Sequence, residues 1–570
     1  MLGMDTHGSC RPSPFLVPQP RNVQTVRILQ PLVDYQIIKS WLTFCQERHS
    51  KTCAVFDGAD PVSTVRAFRL IDCETRRIGP APGQPYVTLS YLWGDSTPPL
   101  FSEVLVSGQP NTIEDAITAT RALGFRYLWV DRYCINQQDK DDVRDQVEKM
   151  DLIYNNSDFT IIAAAGDGPD HGLPGVRPRS LQQAYGKVGK HFFVSTMDDP
   201  GPIIAKSAWM KRGWTYQEAV LSRRRLVFTD QQVYFECRGM YCYEDLNLPL
   251  ENLHTKDQQH FKSEFCSASN MSLFPRRLGR TGWEVVERIE EYSRRTLREP
   301  KDILDAFKGV MSVLEKSPQQ VRHCFGVPIL PRPPKPSGLG YGSTDEAQDI
   351  YDSYTWSPSV GFCLGLCWNL PAGTVLNRRT GFPTWSWAGW IGDIKWGVSR
   401  EDWSTVQGNK DLQVRVQLQN KQVLSWDEFE LSYGELSPSL SPILHLSAWV
   451  TRIKLRELFQ SFYPAGGWMW SASVLAEDGR LLSWKFTSTT HHHGRLTKFM
   501  AVHLARGCTS LRGLFVLVVF EKRPGVYQRC GFGEMTKDNL ESMTLAERPL
   551  FSGDRTPPEL KKSWETFSLE

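Results

Sequence analysis

From Tyr86 to Ala164 short apolar runs alternate with amphipathic stretches, and no other feature of the chain limits its fold as tightly. Residues 86–89 have strand character. Asn111-Thr-Ile-Glu opens a helix, with Asn111 or Thr112 as the predicted N-cap and a carboxylate three residues on. Ile113, Ala116, Ile117 and Leu123 give that helix one apolar face, and Gly124 ends it. Residues 127–130 are a second predicted strand. Asp141 or Asp142 starts a second helix, with Val143, Val147, Met150 and Tyr154 on one face. Residues 159–164 are continuously apolar, as in a strand covered on both sides. Strand, helix, strand, helix, strand at these lengths predicts a parallel sheet with right-handed crossovers.

Ligands of such a sheet sit beyond the carboxyl ends of its strands. The three predicted strand ends deliver Ser90, Tyr91, Trp93 and Asp95, then Asp131, Tyr133, Asn136 and Gln137, then Gly166 and Asp167. Aromatic rings there can stack on a base or a nicotinamide, and carboxylates and amides can hold ribose hydroxyls. Glu218, on a short helix predicted over 214–220, is a candidate acid, base or charge stabiliser. Structural roles stand beside these. Trp129, inside a strand, reads as core with its ring N–H satisfied. Asp95 and Asp131 serve equally well as caps, Gly94 as a turn residue, and Glu218 as a partner of Arg212 or a neighbouring Arg. The convergence of three segments favours a site.

Elsewhere the pattern is looser. Residues 1–30 read as irregular. Ile38, Trp41, Leu42 and Cys45 have helical spacing over 35–48, and 65–71 reads as a strand. Turn residues interrupt 166–206, which predicts an insertion. Strands follow at 225–228 and 233–236, and helices at 284–298 and 302–314, the second capped by Asp302. Residues 328–343 are rich in Pro and Gly. Beyond about 380 strands are predicted at 412–418, 443–450, 481–486 and 514–520. The expected organisation is an N-terminal segment (1–80), an α/β domain (81–240), a helical extension (241–327), a linker or loop (328–350) and a β-rich region (351–570).

Composition excludes more than it assigns. With 570 residues, 41% of them hydrophobic, two or three compact units are expected. A net charge of +3 gives no reason to expect nucleic acid as the main partner, which usually needs a concentrated basic face. The 13 cysteines lack zinc-finger spacing and read as buried free thiols, so no metal is expected. His491-His-His493 reads as a solvated loop tip, and Arg223-Arg-Arg225 as a solvated charge run. Asn155-Asn-Ser and Asn270-Met-Ser fit a glycosylation pattern that matters only after secretion. Residues 1–20 lack a signal-peptide pattern, and the apolar run 514–520 is far short of the roughly 20 residues of a membrane span. A soluble, cytoplasmic protein is expected. Walker, Rossmann and Gly-x-Ser-x-Gly motifs are absent, which disfavours a conventional metabolic hydrolase or dehydrogenase.

Leu89-Ser-Tyr-Leu-Trp-Gly94, Trp129-Val-Asp-Arg-Tyr-Cys-Ile-Asn-Gln137 and Arg212-Gly-Trp-Thr-Tyr-Gln-Glu218 resemble, in order and spacing, three blocks of the fungal heterokaryon-incompatibility (HET) domain. The segment with Gln146, Met150, Ile153 and Tyr154 is similar to the family too, as are Tyr292-Ser-Arg-Arg and Pro383-Thr-Trp-Ser-Trp-Ala-Gly389. The resemblance implies self/non-self recognition, a form of innate immunity in which the domain triggers or executes programmed cell death. It implies a TIR/flavodoxin-like parallel-sheet core flanked by helices. Val87-Thr-Leu-Ser-Tyr91 is similar to the first TIR strand. Trp214 and Glu218 have the spacing of the TIR segment whose Glu is catalytic in NAD-cleaving members. By that likeness Glu218 is catalytic and NAD, as substrate, meets Ser90, Tyr91, Trp93, Asp95, Asp131, Asn136, Gln137 and Trp214. Thr215 departs from TIR members, which usually carry Cys there. The implied partners are an incompatibility protein and further copies of the chain. The alternative is a non-catalytic, self-associating signalling module.

Overall fold

The structure, a computed structural model, describes residues 14–19, 25–56, 59–95, 97–263, 272–276, 278–279, 281–332, 356–371, 377–398, 406–436, 439–477, 479, 481–488, 498–506, 513–535, 541–542 and 560–570, apart from 461–467. His491–His493, Asn270 and residues 333–350 of the expected linker lie outside them. The chain forms two compact units. The first runs to Leu278 and adds Arg295–Leu297 and Asp305–Val313; the second holds Gly279–Arg294, Arg298–Leu304 and Leu314–Glu570.

The first unit is built on an eight-stranded mixed sheet. Its strands are β1 (Arg69–Asp72), β2 (Ile78–Pro80), β3 (Tyr86–Ser90), β4 (Tyr127–Trp129), β5 (Thr160–Ala163), β6 (Arg224–Phe228), β7 (Val233–Cys237) and β8 (Tyr241–Tyr243). Their order is β8-β7-β6-β5-β3-β4-β1-β2. The central four are parallel, with Val87 opposite Leu128, Leu89 opposite Ile161, and Ile161 opposite Leu226. Antiparallel strands flank them on both sides. Every residue of β3, β5 and β6 is buried. That is why residues 159–164, which hold β5, read as an unbroken apolar run rather than as an alternating one.

Several local expectations change. The helix Asn111–Ala122 follows Pro110 and has no side-chain cap. The carboxylate predicted to close a capping box, Glu114, instead takes two 2.8 Å hydrogen bonds from the Arg76 guanidinium and one from the Gln109 amide. Gly124, at φ 93°, ends the helix as expected. The next helix, Lys140–Glu148, is capped two residues ahead of the earlier predicted start, by Asp139, which accepts from the Asp141 and Asp142 amides. It turns Asp142 and Gln146 inward rather than Val143 and Val147. The cause is an ion pair: buried Asp142 holds the Arg69 guanidinium at 2.9 Å and accepts from Gln146. The chain then breaks at Lys149 and resumes as helix Met150–Asn156.

The 166–206 insertion is ordered. Its hairpin, Tyr185–Val188 with His191–Ser195, joins Leu16–Gln19 in a separate three-stranded sheet, and helix Pro200–Lys206 follows. Arg223-Arg-Arg225 is not a solvated charge run. Arg224 and Arg225 are buried, and Arg225 donates at 3.0 Å to the carbonyls of Ala219 and Ser222. Carbonyl acceptors take the place of water there, so a charged triplet enters a buried strand.

The second unit is β-rich, as expected. Leu440–Gln460, Trp468–Leu475, Leu481–Ser488, Val526–Met535, Leu514–Arg523 and Phe499–Arg506 pair in that spatial order, and the last returns to the first. The six strands therefore close into an antiparallel barrel. Ile453, Val474, Trp484, Phe486, Val516, Val518 and Met535 fill its core. The tryptophan cluster is buried beside it: Trp385, Trp387 and Trp390 donate their ring N–H groups to the carbonyls of Pro442, Gly326 and Thr384. The predicted helix 284–298 is Gly282–Ser293, capped by Thr281. The predicted helix 302–314 begins instead as two 3₁₀ turns, Pro300–Ile303 and Asp305–Phe307, so Asp302 lies inside the first turn, whose N-cap is Glu299.

Candidate functional site

The carboxyl end of β3 carries Ser90, buried completely. Its hydroxyl donates a very short hydrogen bond to Glu218 Oε2 and accepts the ring N–H of Trp209 at 2.8 Å. Glu218 lies in the short helix Thr215–Leu221, all of whose residues are buried. Two regions more than a hundred residues apart in sequence thus meet at one hydroxyl.

A second group forms where β4 ends. Asp131 opens a one-turn helix, Asp131–Cys134. Its two carboxylate oxygens each accept the Trp93 ring N–H at 3.0 Å, and one accepts the Arg132 amide at 2.7 Å. Arg132 returns to the first loop, donating to the Trp93 and Thr97 carbonyls and lying 5.6 Å from the Trp93 ring centre. Gln137 donates to the Asp131 carbonyl, bracing that turn. Asn136 is spent locally: its amide donates to Asp142, and its side-chain oxygen accepts from Gln138. The loops after β3 and β5 touch, for a Cβ on Gly94, at φ 69°, would meet Pro169 at 3.0 Å.

The two groups are joined electrically. Burial pushes the Glu218 carboxyl up to about 7, and the nearby Asp131 charge adds to the shift; Ser90, Arg212 and Tyr154 oppose it. Burial likewise raises Asp131 to about 6. Burial raises both carboxyls, and the Asp131 charge opposes ionisation of Glu218, so the two do not both ionise easily. Arg212 acts on both from beyond ion-pair distance; it does not pair with Glu218 directly. The Tyr154 hydroxyl favours the Glu218 carboxylate without reaching hydrogen-bond geometry. It and the buried Tyr91 hydroxyl make no hydrogen bond within the protein. Neither does the Trp129 ring N–H: this ring is core, edge-on to Tyr154 at 5.5 Å, but its donor is unsatisfied, contrary to expectation.

Ser90, Glu218, Trp93, Asp131 and Gln137 are therefore brought together. Tyr133 turns away, donating to Gln109. Asp95 is exposed and joins neither group, and Trp214 is half-buried at the start of the Glu218 helix.

Comparison with known proteins meets this geometry at both ends. The sequence model of the family described as heterokaryon incompatibility protein (HET) matches residues 86–218, from the first residue of β3 to Glu218 itself. Residues 86–218 are a HET domain. Heterokaryon incompatibility protein 6, OR allele, of Neurospora crassa is 30% identical over 154 residues, which cover 24% of this chain and 20% of that protein. The chain thus spans about a fifth of the relative's length. No solved structure matches.

Two contributors to the HET-domain cluster were not singled out in the sequence: Trp209, which fixes Ser90, and Arg132, which fixes Trp93. Trp209 sits between the predicted insertion (166–206) and the third motif, and only that nearness signals it. A separate cluster, Cys45, His49, Cys53 and Cys237, was also missed. Its Cys-x-x-x-His-x-x-x-Cys spacing is visible in the sequence, but the fourth member comes from β7. No helix among the described residues is long and apolar enough to cross a membrane.

Proposed function

We propose that this chain acts in fungal heterokaryon incompatibility, as a trigger or effector of programmed cell death, through a TIR/flavodoxin-like core that cleaves NAD at Glu218. The role follows from the HET domain and from the name of the Neurospora relative. The fold reading is supported by the parallel strands: numbered among themselves along the chain, they run 2-1-3-4, the beginning of the doubly wound flavodoxin-like order. In such sheets ligands bind where the order reverses, beside strand 1, and that strand here is β3, which ends in Ser90.

The observation that carries the chemistry is the coupled pair of buried carboxyls, Glu218 and Asp131, at those strand ends. In the proposed reaction the bond between the nicotinamide nitrogen and ribose C1′ breaks, and the bonding pair leaves with nicotinamide. The oxocarbenium-like carbon is stabilised by the Glu218 carboxylate, and water adds there, its proton passing to the carboxyl pair. Trp93, held edge-on by Asp131, offers a face for stacking, and the unpaired Tyr91 hydroxyl a hydrogen bond.

One observation favours a second reading. Glu218 is only 5% exposed and is engaged by a hydroxyl that is itself bonded at both ends. A carboxyl so placed can serve the fold alone, in a self-associating signalling module. The test is NAD consumption by the purified full-length chain at high concentration, wild type beside Glu218→Gln and Glu218→Ala. Nicotinamide release that the variants lose, with circular dichroism unchanged, supports cleavage. No turnover by the wild type, even when forced to oligomerise, selects the signalling module.

A further inference from the structure

Away from the carboxyl cluster, three thiols and an imidazole meet inside the first unit. Cys45 lies in the last turn of helix Tyr35–Arg48, and His49 and Cys53 follow at intervals of four residues. Turn hydrogen bonds continue past the helix end, from the His49 amide to the Cys45 carbonyl and from the Cys53 amide to the His49 carbonyl, at 3.0 and 2.8 Å. That spacing puts the three side chains on one face. Cys237, the last residue of β7, closes the group. All four residues are buried, and their ligand atoms lie within 4.8 Å of one another.

We propose that Cys45, His49, Cys53 and Cys237 hold a structural zinc ion. The separations suit it: Cys45 Sγ to Cys53 Sγ is 3.7 Å and His49 Nδ1 to Cys237 Sγ is 3.3 Å. Zn–S bonds of about 2.3 Å give tetrahedral edges of about 3.8 Å, with nitrogen-to-sulfur edges slightly shorter. Three cysteines and one histidine are a closed set for zinc, with no position left for water, which marks a structural rather than a catalytic site.

The surroundings prepare three of the four ligands. His254 Nδ1 faces the Leu250 carbonyl at 2.5 Å, and a carbonyl only accepts, so that nitrogen carries the proton. In neutral rings His254 Nε2 is then an acceptor, and His49 Nε2, 3.0 Å away, must donate to it. This leaves His49 Nδ1 as a bare lone pair directed at the thiols, the tautomer a metal requires. The Gly239 amide donates to Cys237 Sγ at 3.4 Å, as a backbone donor does to a thiolate. Gly239 has to be a glycine here, since a Cβ would stand 2.7 Å from His49 Cε1. The buried Arg224 guanidinium donates to Cys45 Sγ at 3.0 Å and to the Asp158 carbonyl at 2.9 Å, with no carboxylate partner. Three thiolates around a divalent ion carry a net single negative charge, which balances that arginine. Three neutral thiols would leave a buried cation facing no anion.

The site ties the helix that precedes the HET match to β7, which follows it, so its metal would hold together chain from both sides of the domain. The test is elemental analysis of the full-length chain purified without chelator. One zinc per chain is expected, and exchange for cobalt is expected to give the visible ligand-field bands of a tetrahedral thiolate site. Cys45→Ser and Cys237→Ser should lose the ion, and Cys73→Ser, a buried thiol elsewhere, should keep it. Should the cluster variants fail to fold, the wild type decides alone: zinc must appear in solution as a mercurial reagent titrates its thiols. Metal-free folded protein, or a Cys45–Cys53 disulfide in non-reducing peptide maps, overturns the proposal. The readout is metal content, so its failure and that of NAD cleavage are separate results.

Discussion

Glu218 sets the behaviour of its surroundings through one proton. Its carboxyl in the folded chain sits well above an exposed glutamate, at about 7, so the folded state binds the proton more tightly than the unfolded state. The sign follows: its contribution is complete below the unfolded value near 4.5 and is lost as pH rises through about 7. At about 1.4 kcal/mol per pKa unit, the loss is on the order of 3 kcal/mol. Denaturant midpoints measured from pH 5 to 8 should fall with rising pH, and Glu218→Gln should flatten that fall. Ser90 supports the opposite charge state, because its hydrogen bond lowers the Glu218 value. Ser90→Ala should therefore raise it further. It should also cost roughly 1–3 kcal/mol, since the buried Trp209 N–H loses its acceptor. Thermal or denaturant unfolding of the single variant measures the cost.

At the scale of elements, the loops after the strands are held by backbone shape and by ion pairs. Gly166 has φ 68°, and a Cβ there would collide with the His171 ring. Gly166→Ala should destabilise the chain by more than about 1 kcal/mol and displace the loop after β5, visible as faster proteolysis within 166–172. The Arg69–Asp142 pair lies deeper. Asp142→Ala would leave a largely buried guanidinium unpaired and free the Asn136 amide, so a loss of roughly 3–5 kcal/mol in denaturant unfolding is expected. The sheet is legible in the sequence because strands buried on both faces lose polar alternation and read as apolar runs. The meeting of Ser90 with Glu218 is legible as a strand-end motif and a short-helix motif, though not as a hydrogen bond. Arg224 and Arg225 are not legible, because charge signals solvent unless one knows which carbonyls wait to receive it. The face of helix Lys140–Glu148 is misread for the same reason: Asp142 and Gln146 point inward only because Arg69, from another strand, is there. The Cys45–His49–Cys53 spacing is visible, but its meaning depends on a strand far along the chain.

For the whole molecule, the first unit does not end where the chain first leaves it. Phe307 stacks on Tyr216 at 5.9 Å, and the Gly309 amide donates to Gln217, both against the helix that carries Glu218. A fragment ending at residue 278 lacks both contacts. It should unfold at lower denaturant than one ending at residue 316, and the helix Thr215–Leu221 should exchange its amides faster, as hydrogen-exchange mass spectrometry would show. The second unit has a closed barrel, so its six wall strands present few open edges for adding a strand from another copy.

The family match stops at Glu218, but the sheet does not. β6, β7 and β8 all follow that residue, and β6 pairs with β5 along its whole length. A gene fragment trimmed to the match would expose the bare side of β5, a row of unspent amides and carbonyls flanked by apolar side chains. Such a piece invites clumping inside the cell. A colony that sickens on expressing it would be reporting the injury done by the scissors, and a test of the proposed role has to leave the strands on.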